Sequence, residues 1–309
     1  MNEQRQSGSV ISREGQGPAR PDRPGVTVRA MRPEDAEACG RIGFQAHAAV
    51  AAAHNVPPEQ PSVKFAVGLI RGKLADPQAH GFVAERDGQL VGSIFLNTFP
   101  PTPVAVIGPL TVHPEAQGGV GRRLMGAALE EARRRGIPGV RLVQSPAHLR
   151  SLALYVAMGF DVREPLVLMQ GDLPSPEAAA AATRPATGAD LAACNALCRR
   201  VHGLEREHEL RRAIGQGVAT VAERDARLVG YAAGLGFLGH AVAETTDDLK
   251  ALIAGASRIL GPGFFVPARD GDLLRWLLGA GMRAAWPATL MSLGPYQAPA
   301  GAFLPSIAF

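Results

Sequence analysis

A glycine-rich turn between an apolar run and an amphipathic run is the first part of this sequence that could do chemistry. The apolar run covers 104–112, three of the four residues 118–121 are glycine, and residues 120–135 show helical spacing of apolar positions. Glycines let successive backbone N–H groups point at one anion, and a helix N-terminus adds free donors and partial positive charge. Arg122 and Arg123 add cations at the helix start, so the pattern predicts a phosphate-binding site.

The alternative interpretation is a turn that needs only flexible residues. Two other phosphate-binding motifs fit less well, because the turn contains neither the Gly-Lys-Ser/Thr of a nucleotide P-loop nor the Gly-x-Gly-x-x-Gly of a dinucleotide site. The position between a strand pattern and a helix pattern favours phosphate binding.

Two segments of the first half together resemble the GNAT superfamily of acyl-CoA-dependent N-acyltransferases. The first is the strand followed by Val112-His-Pro114 and the glycine turn, which resembles the family's signature for the coenzyme A pyrophosphate. The second is His148-x-x-Ser-Leu-Ala-Leu-Tyr-Val-Ala-Met-Gly-Phe160, which is similar to the family's Asn-x-x-Ala-x-x-Leu-Tyr-x-x-x-Gly-Phe. Both occur in the family's order and at its separation.

The resemblance implies a site for acetyl-CoA, or another acyl-CoA, as co-substrate, with no metal. Backbone groups of the third strand would bind the pantetheine arm and the acyl carbonyl: Leu110, Thr111 and Val112. Amides of the turn would hold the pyrophosphate: Gln117, Gly118, Gly119, Val120, Gly121 and Arg122. His148 and Ser151 would contact the cofactor, and Tyr155 would be the general acid that protonates the leaving thiolate. On residue type alone, Tyr155 would be interpreted as a core aromatic.

The sequence departs from the family pattern in two places. The turn is one residue shorter than usual, so either Ala116 or Gln117 takes the position of the family's Gln or Arg. His148 replaces the usual Asn, where it either bonds to the cofactor or lies on the surface beside the helix.

The general base is not evident, because the strand 104–112 has no ionisable side chain. A water relay, His47, His54 and Glu59 are the alternatives. A carboxylate carried by the apolar ending 301–309, which we expect to dock on the body, and a nearby His of the second half are two more. Pro109 cannot donate to a sheet ladder, which favours a strand that splays away from its neighbour.

The sequence repeats one plan on either side of a Pro/Ser/Ala-rich segment. Three matches occur in the same order: Arg29 and Asp35 with Arg184 and Asp190, 83–92 with 221–230, and Gly159 and Pro165 with Gly281 and Pro287. They indicate a tandem duplication. We predict a disordered tail at 1–25, a catalytic domain at 26–171, a linker at 172–183 and a degenerate copy at 184–309.

The order of patterns within each half predicts an α/β fold, a mixed sheet flanked by helices in which an antiparallel meander leads into a βαβ crossover. In the second half no glycine turn opens the corresponding helix; Glu244 and Asp247-Asp248 place negative charge there, and Leu277 takes the position of Tyr155. That half should shape the acceptor pocket or replace a dimer partner.

Composition excludes several classes of function. The net charge is only +4, and Arg133–Arg135 is the one run of three arginines, so a nucleic-acid partner is not indicated. No run of about 18 apolar residues indicates a membrane span, and the N-terminus lacks the apolar region of a secretory signal. Cys39, Cys194 and Cys198 are best interpreted as apolar core residues in a reducing compartment. We expect a cytoplasmic monomer or homodimer.

The predicted function is transfer of an acetyl or short acyl group from acyl-CoA to an amine of a small molecule or peptide. The alternatives are a non-catalytic acyl-CoA sensor or scaffold, a decarboxylase of similar fold, and a carrier-protein acyltransferase.

Overall fold

The computed structural model describes residues 25–54, 60–116, 118–175 and 181–307, without the side chain of His54. Most of the predicted tail, part of the predicted linker, Gln117, Glu59 and the last two residues lie outside the described residues. Within the described ranges no helix is long and apolar enough to cross a membrane.

In its described residues the first half contains six strands and four helices. They are β1 Val26–Ala30, α1 Ala36–His54, α2 Val63–Ala75, β2 Ala79–Arg86, β3 Gln89–Asn97, β4 Val104–Val112, α3 Val120–Arg134, β5 Gly139–Gln144, α4 Leu149–Val156 and β6 Asp161–Gln170. Of these, β4 and α3 closely follow the predicted strand 104–112 and helix 120–135.

The second half repeats this order. Its elements are β7 Ala182–Pro185, α5 Leu191–His202, α6 Glu207–Gly215, β8 Ala219–Arg224, β9 Arg227–Ala233, β10 Ala241–Ala243, α7 Thr246–Ala254, β11 Phe264–Pro267, α8 Gly271–Gly279, β12 Arg283–Leu293 and β13 Ala302–Leu304. β7 includes the last two residues of the predicted linker, 182 and 183.

The repeat is visible in side-chain contacts as well as in the order of elements. Arg29 forms ion pairs with Asp35 at 2.7 Å and with Glu85 at 2.6 Å. Arg184 forms the matching pairs with Asp190 at 2.8 Å and with Glu223 at 2.6 Å. The hairpins β2–β3 and β8–β9 also share a register irregularity at the same position, so the two halves have one architecture.

The two halves exchange strands. The first sheet has the order β1-β2-β3-β4-β5-β12-β6-β11, so β12 of the second half lies between β5 and β6 of the first. β6 in turn pairs with β11 of the second half. The pairing is symmetric about Leu166 and Ala288, which face each other in the β6–β12 ladder. The two halves therefore share this sheet. The second sheet contains strands of the second half alone, in the order β13-β10-β9-β8-β7.

Alternation along the strands assigns each face of the first sheet to different helices. Phe95 points to the face covered by α1, where it clusters with Cys39. Ile94 and Leu96 point to the opposite face and pack with Leu124 of α3. The site described next lies between these two helical layers.

Candidate functional site

A cleft opens where β4 separates from β5. The two strands are parallel and pair only at their beginnings, Val104–Val106 with Gly139–Arg141, although β4 continues to Val112. On its other edge β4 remains paired with β3 up to that residue. The register of the β3–β4 ladder shifts at Gly108 and Pro109, because these two residues of β4 lie opposite a single residue of β3, Phe95. A proline that cannot donate at this bulge agrees with the predicted splay.

The far end of β4 presents backbone groups to the cleft. The N–H of His113 donates to the carbonyl of Val91 at 2.9 Å, and bonded and non-bonded pairs alternate along an antiparallel ladder. Leu110 and Val112 therefore turn their N–H and C=O groups away from β3 and toward the cleft. The backbone of Thr111 faces β3 instead, so Thr111 can contribute only its side chain.

The turn at the mouth of this cleft is built by positive-φ glycines. Gly118 has a φ of +106° and Gly119, the N-cap of α3, has a φ of +95°. No side chain of the described residues caps α3 there, and a Cβ added at Gly119 would have no neighbour within 4 Å. The first amides of α3 thus remain available as donors beside open space.

The two arginines at the start of α3 differ in what they contact. Arg122 is exposed at the turn. Arg123 donates from Nη1 to the carbonyl of Val26 at 2.7 Å and so attaches α3 to β1. Of the two predicted cations, Arg122 is the one that remains at the surface of the turn.

Tyr155 lies in the core beside the cleft. It is buried among a cluster that includes Leu110 and Val112 of β4 and Leu142 of β5. Its ring packs on Phe160 with centroids 6.1 Å apart. Burial raises the pKa of Tyr155 to about 12, partly offset by a hydrogen bond with Ser151.

Ser151 joins Tyr155 to His148. The Ser151 hydroxyl bonds to Nδ1 of His148 as well as to the Tyr155 phenol. His148 and Ser151 are half-buried, whereas Tyr155 is buried. These three predicted residues therefore form one hydrogen-bonded row from the helix N-terminus to the core.

The comparison with known families decides the type of domain. Residues 48–160, which include β4, the turn and Tyr155, match the acetyltransferase (GNAT) family. Residues 48–160 belong to the GNAT family.

Curated relatives agree with this assignment, and solved structures share the fold. A mycothiol acetyltransferase from Thermomonospora curvata is 34% identical over 141 residues, which are 44% of this chain and 44% of that protein. The chain thus aligns with less than half the length of such curated relatives. A GCN5-related N-acetyltransferase from Sphaerobacter thermophilus shares the fold over 90% of this chain and 98% of its own, with a TM-score of 0.59 at 16% identity.

A tandem GNAT protein from the clavulanic acid biosynthesis pathway is similar over nearly the whole length. It covers 89% of this chain and 99% of its own, with a TM-score of 0.50 at 18% identity. At this identity the likeness shows the fold alone. The predicted tandem α/β arrangement is confirmed.

The GNAT domain also contains a support for the β4 bulge that sequence reasoning missed. Asn97 is buried at the end of β3 and donates from Nδ2 to the carbonyls of Val106 at 3.0 Å and Gly108 at 3.1 Å. Its Oδ1 accepts from Nζ of Lys73 at 2.5 Å, and burial lowers the pKa of that lysine. The only signal in the sequence was an asparagine ending an apolar strand.

The alternatives for the general base stay predictions. β4 has no ionisable side chain, as the sequence indicated, and His47 is half-buried on α1. The side chains of His54 and Glu59 lie outside the described residues, as does the end of the chain. Gln60, a neutral amide missed by the sequence analysis, lies on the α1 side of β4, across Gly43 from Thr111.

In the second half the equivalent cleft is filled by the chain itself. Gly230 pairs with Ala243 as Gly92 pairs with Val112, so β10 corresponds to the cleft end of β4. The other edge of β10 pairs with β13, residues Ala302–Leu304. The predicted docking of the apolar ending is observed up to Ile307, whose N–H donates to Phe237.

The start of α7 is acidic and internally paired. Glu244 bonds to both Nη atoms of Arg227, at 2.5 and 2.7 Å. Asp248 is fully buried against Arg224 at 2.9 Å. Leu277, at the position of Tyr155, is a buried core residue. Nothing in this arrangement resembles the glycine turn of α3.

In the described part of the chain no group of three or more His, Cys, Asp or Glu residues could hold a metal ion. The three cysteines are free and buried. Burial raises the pKa of Cys39 to about 11 and that of Cys194 to about 12, so these thiols are poor nucleophiles at neutral pH.

Proposed function

We propose that this protein transfers an acetyl or other short acyl group from acyl-CoA to the amine of a small molecule. The observation that carries the proposal is the splayed end of β4, with its outward-facing backbone groups, the open glycine turn at its mouth and the buried phenol beside it. The similarity to mycothiol acetyltransferases supports a small molecule over a peptide as acceptor.

The cleft fits the parts of coenzyme A. The pantetheine arm carries amides, which Leu110 and Val112 could bind as an added strand binds a sheet edge. The amides of Gly119 to Arg122 and the exposed guanidinium of Arg122 suit a pyrophosphate at the start of α3. The open space at Gly119 leaves room for it.

Tyr155 is suited to act as the acid. With a pKa of about 12 its phenol is protonated throughout the neutral range. In the proposed reaction the amine nitrogen bonds to the acyl carbon, the C–S bond breaks, and Tyr155 gives its proton to the sulfur. The excess proton on nitrogen leaves to water, since β4 provides no carboxylate.

Ser151 and His148 would restore the proton to Tyr155. A buried phenolate is costly without a source of protons, and the row through Ser151 reaches a half-buried imidazole that can exchange with solvent. We therefore assign these two residues to proton return rather than to cofactor binding alone.

The proposal is tested by release of free thiol from acetyl-CoA in the presence and absence of primary amines. We expect amine-dependent release by the wild-type protein. Tyr155→Phe should lower kcat by about 10²- to 10⁴-fold, the usual value of general acid catalysis, with the Kd for coenzyme A unchanged. The phenyl ring keeps the packing on Phe160, so loss of fold is not expected. Thiol release that needs no amine, or wild-type kcat in Tyr155→Phe, would contradict the proposal.

A further inference from the structure

A buried amide without a partner lies beside β4. Gln60, in the segment before α2, is only 6% exposed. Its Oε1 has no hydrogen-bond partner among the residues that the structure describes. Leaving a buried polar atom unpaired is costly, so such an atom indicates strain, a bound water or a ligand.

The amide of Gln60 adjoins a space beside Thr111. A Cβ added at Gly43 of α1 would lie 3.9 Å from Oε1 of Gln60 and 3.8 Å from Cγ2 of Thr111. Gly43 therefore leaves a small gap between this amide and β4. The hydroxyl of Thr111 is already bonded to Ser93 at 3.1 Å. Oε1 of Gln60 is thus an acceptor without a partner beside this gap, among the residues that the structure describes.

Gln60 and Tyr155 lie on opposite faces of β4. The side chain of Thr111 points to α1 and to Gln60, whereas Leu110 and Val112 point to the cluster that holds Tyr155. A thioester held along β4 would therefore have the acid for its leaving sulfur on one face. The nucleophile needs the other face, where Gln60 lies.

We propose that Gln60 orients the acceptor, its Oε1 accepting an N–H of the attacking primary amine. This inference rests on the proposed function. A neutral carboxamide provides no countercharge, and burying an ammonium without one is costly, so the subsite selects the uncharged amine. The small gap at Gly43 fits an unbranched amino group. Gln60 is on this basis a positioning residue that favours attack without itself taking the proton.

The test compares Gln60→Leu with wild type, using glycinamide as the amine probe because an α-amino group titrates at about 8, well below an alkylamine, so a usable fraction is uncharged at neutral pH. We expect kcat/KM for glycinamide to fall by roughly 10-fold, the loss of one buried hydrogen bond. The change should lie in the KM for the amine, with the Kd for coenzyme A within about 2-fold of wild type. Gln60→Glu keeps an acceptor oxygen and should restore amine binding.

A matched control is Asn195→Ser, which alters another buried amide with an unpaired oxygen, on α5 and away from β4. It should leave kcat/KM for glycinamide unchanged. Wild-type kcat/KM in Gln60→Leu would overturn the inference and leave the proposed function standing.

If the wild-type protein releases no thiol with any amine, the proposed function fails on its own. Calorimetric titration of glycinamide into the coenzyme A complex then tests Gln60 directly. Binding lost in Gln60→Leu and kept in Gln60→Glu would support the inference; binding equal in all three proteins, or absent from wild type, would overturn it.

Discussion

Ser151 has a position in this molecule that a family motif does not explain. The family pattern has alanine there, whereas here a hydroxyl joins a half-buried histidine to a buried tyrosine. A serine within a helix more often bonds to the backbone or faces water. Its contacts indicate that the pKa of Tyr155 depends on this side chain.

Ser151→Ala should raise the pKa of Tyr155 further, because the hydrogen bond that offsets the effect of burial is removed. We expect kcat to fall by about 10-fold, a fraction of the value of general acid catalysis, with little change in the KM for acetyl-CoA. Titration of phenolate absorbance gives the pKa, and Ser151→Thr should restore both quantities. An unchanged phenolate titration together with a higher KM for acetyl-CoA would mean that Ser151 binds cofactor instead.

At the scale of elements, much of the fold followed from local pattern. β4 has the predicted bounds, because its apolar run lies between Pro103 and His113-Pro114. The position of β12 between β5 and β6 could not be predicted, since its pairing joins residues far apart in sequence and both halves carry the same strand pattern. Gln60 was missed for a related reason. It lies beside Gly43 and Thr111, which belong to other elements, so no local pattern marks its position.

The exchange of strands has a further consequence for the second cleft. β13 occupies the edge of β10 that corresponds to the free edge of β4. An acidic helix start lies beside it, where a pyrophosphate would be repelled. The open edge of β4 therefore has no counterpart in the second half.

We expect one molecule of coenzyme A to bind per chain, at the turn before α3. Gly119→Glu should weaken binding by about 10-fold or more through like-charge repulsion. Because the φ of +95° strains any side chain at this position, Gly119→Ala is the control that carries the strain without the charge and should weaken binding less. Isothermal titration calorimetry gives both stoichiometry and Kd. Two sites per chain, or equal affinity for the Ala and Glu variants, would rule out this assignment.

At the scale of the whole molecule, buried histidines link stability to pH. Burial lowers the pKa of His202 to about 3, assisted by Arg206 and Arg141, and lowers that of His240 well below its usual value. In the unfolded chain a histidine titrates near 6.5. Between these values the unfolded state binds protons that the folded state does not, so stability is full above pH 6.5 and decreases as the pH falls.

His202→Leu should therefore make the protein less sensitive to mild acid. Below its pKa in the unfolded chain, each such histidine lowers the free energy of unfolding by about 1.4 kcal/mol for every unit that the pH falls. Between pH 6 and pH 5, the loss of unfolding free energy should therefore be smaller in His202→Leu than in wild type by about 1.4 kcal/mol. This window lies above the pH range where most carboxylates titrate. The control is Phe303→Leu, which alters the ring packed edge-on against His202 with centroids 4.9 Å apart. It should lower the free energy of unfolding equally at both pH values. Urea unfolding at pH 7, 6 and 5 provides these free energies. If the free energy of unfolding changes with pH in His202→Leu as it does in wild type, this histidine is protonated in the folded protein.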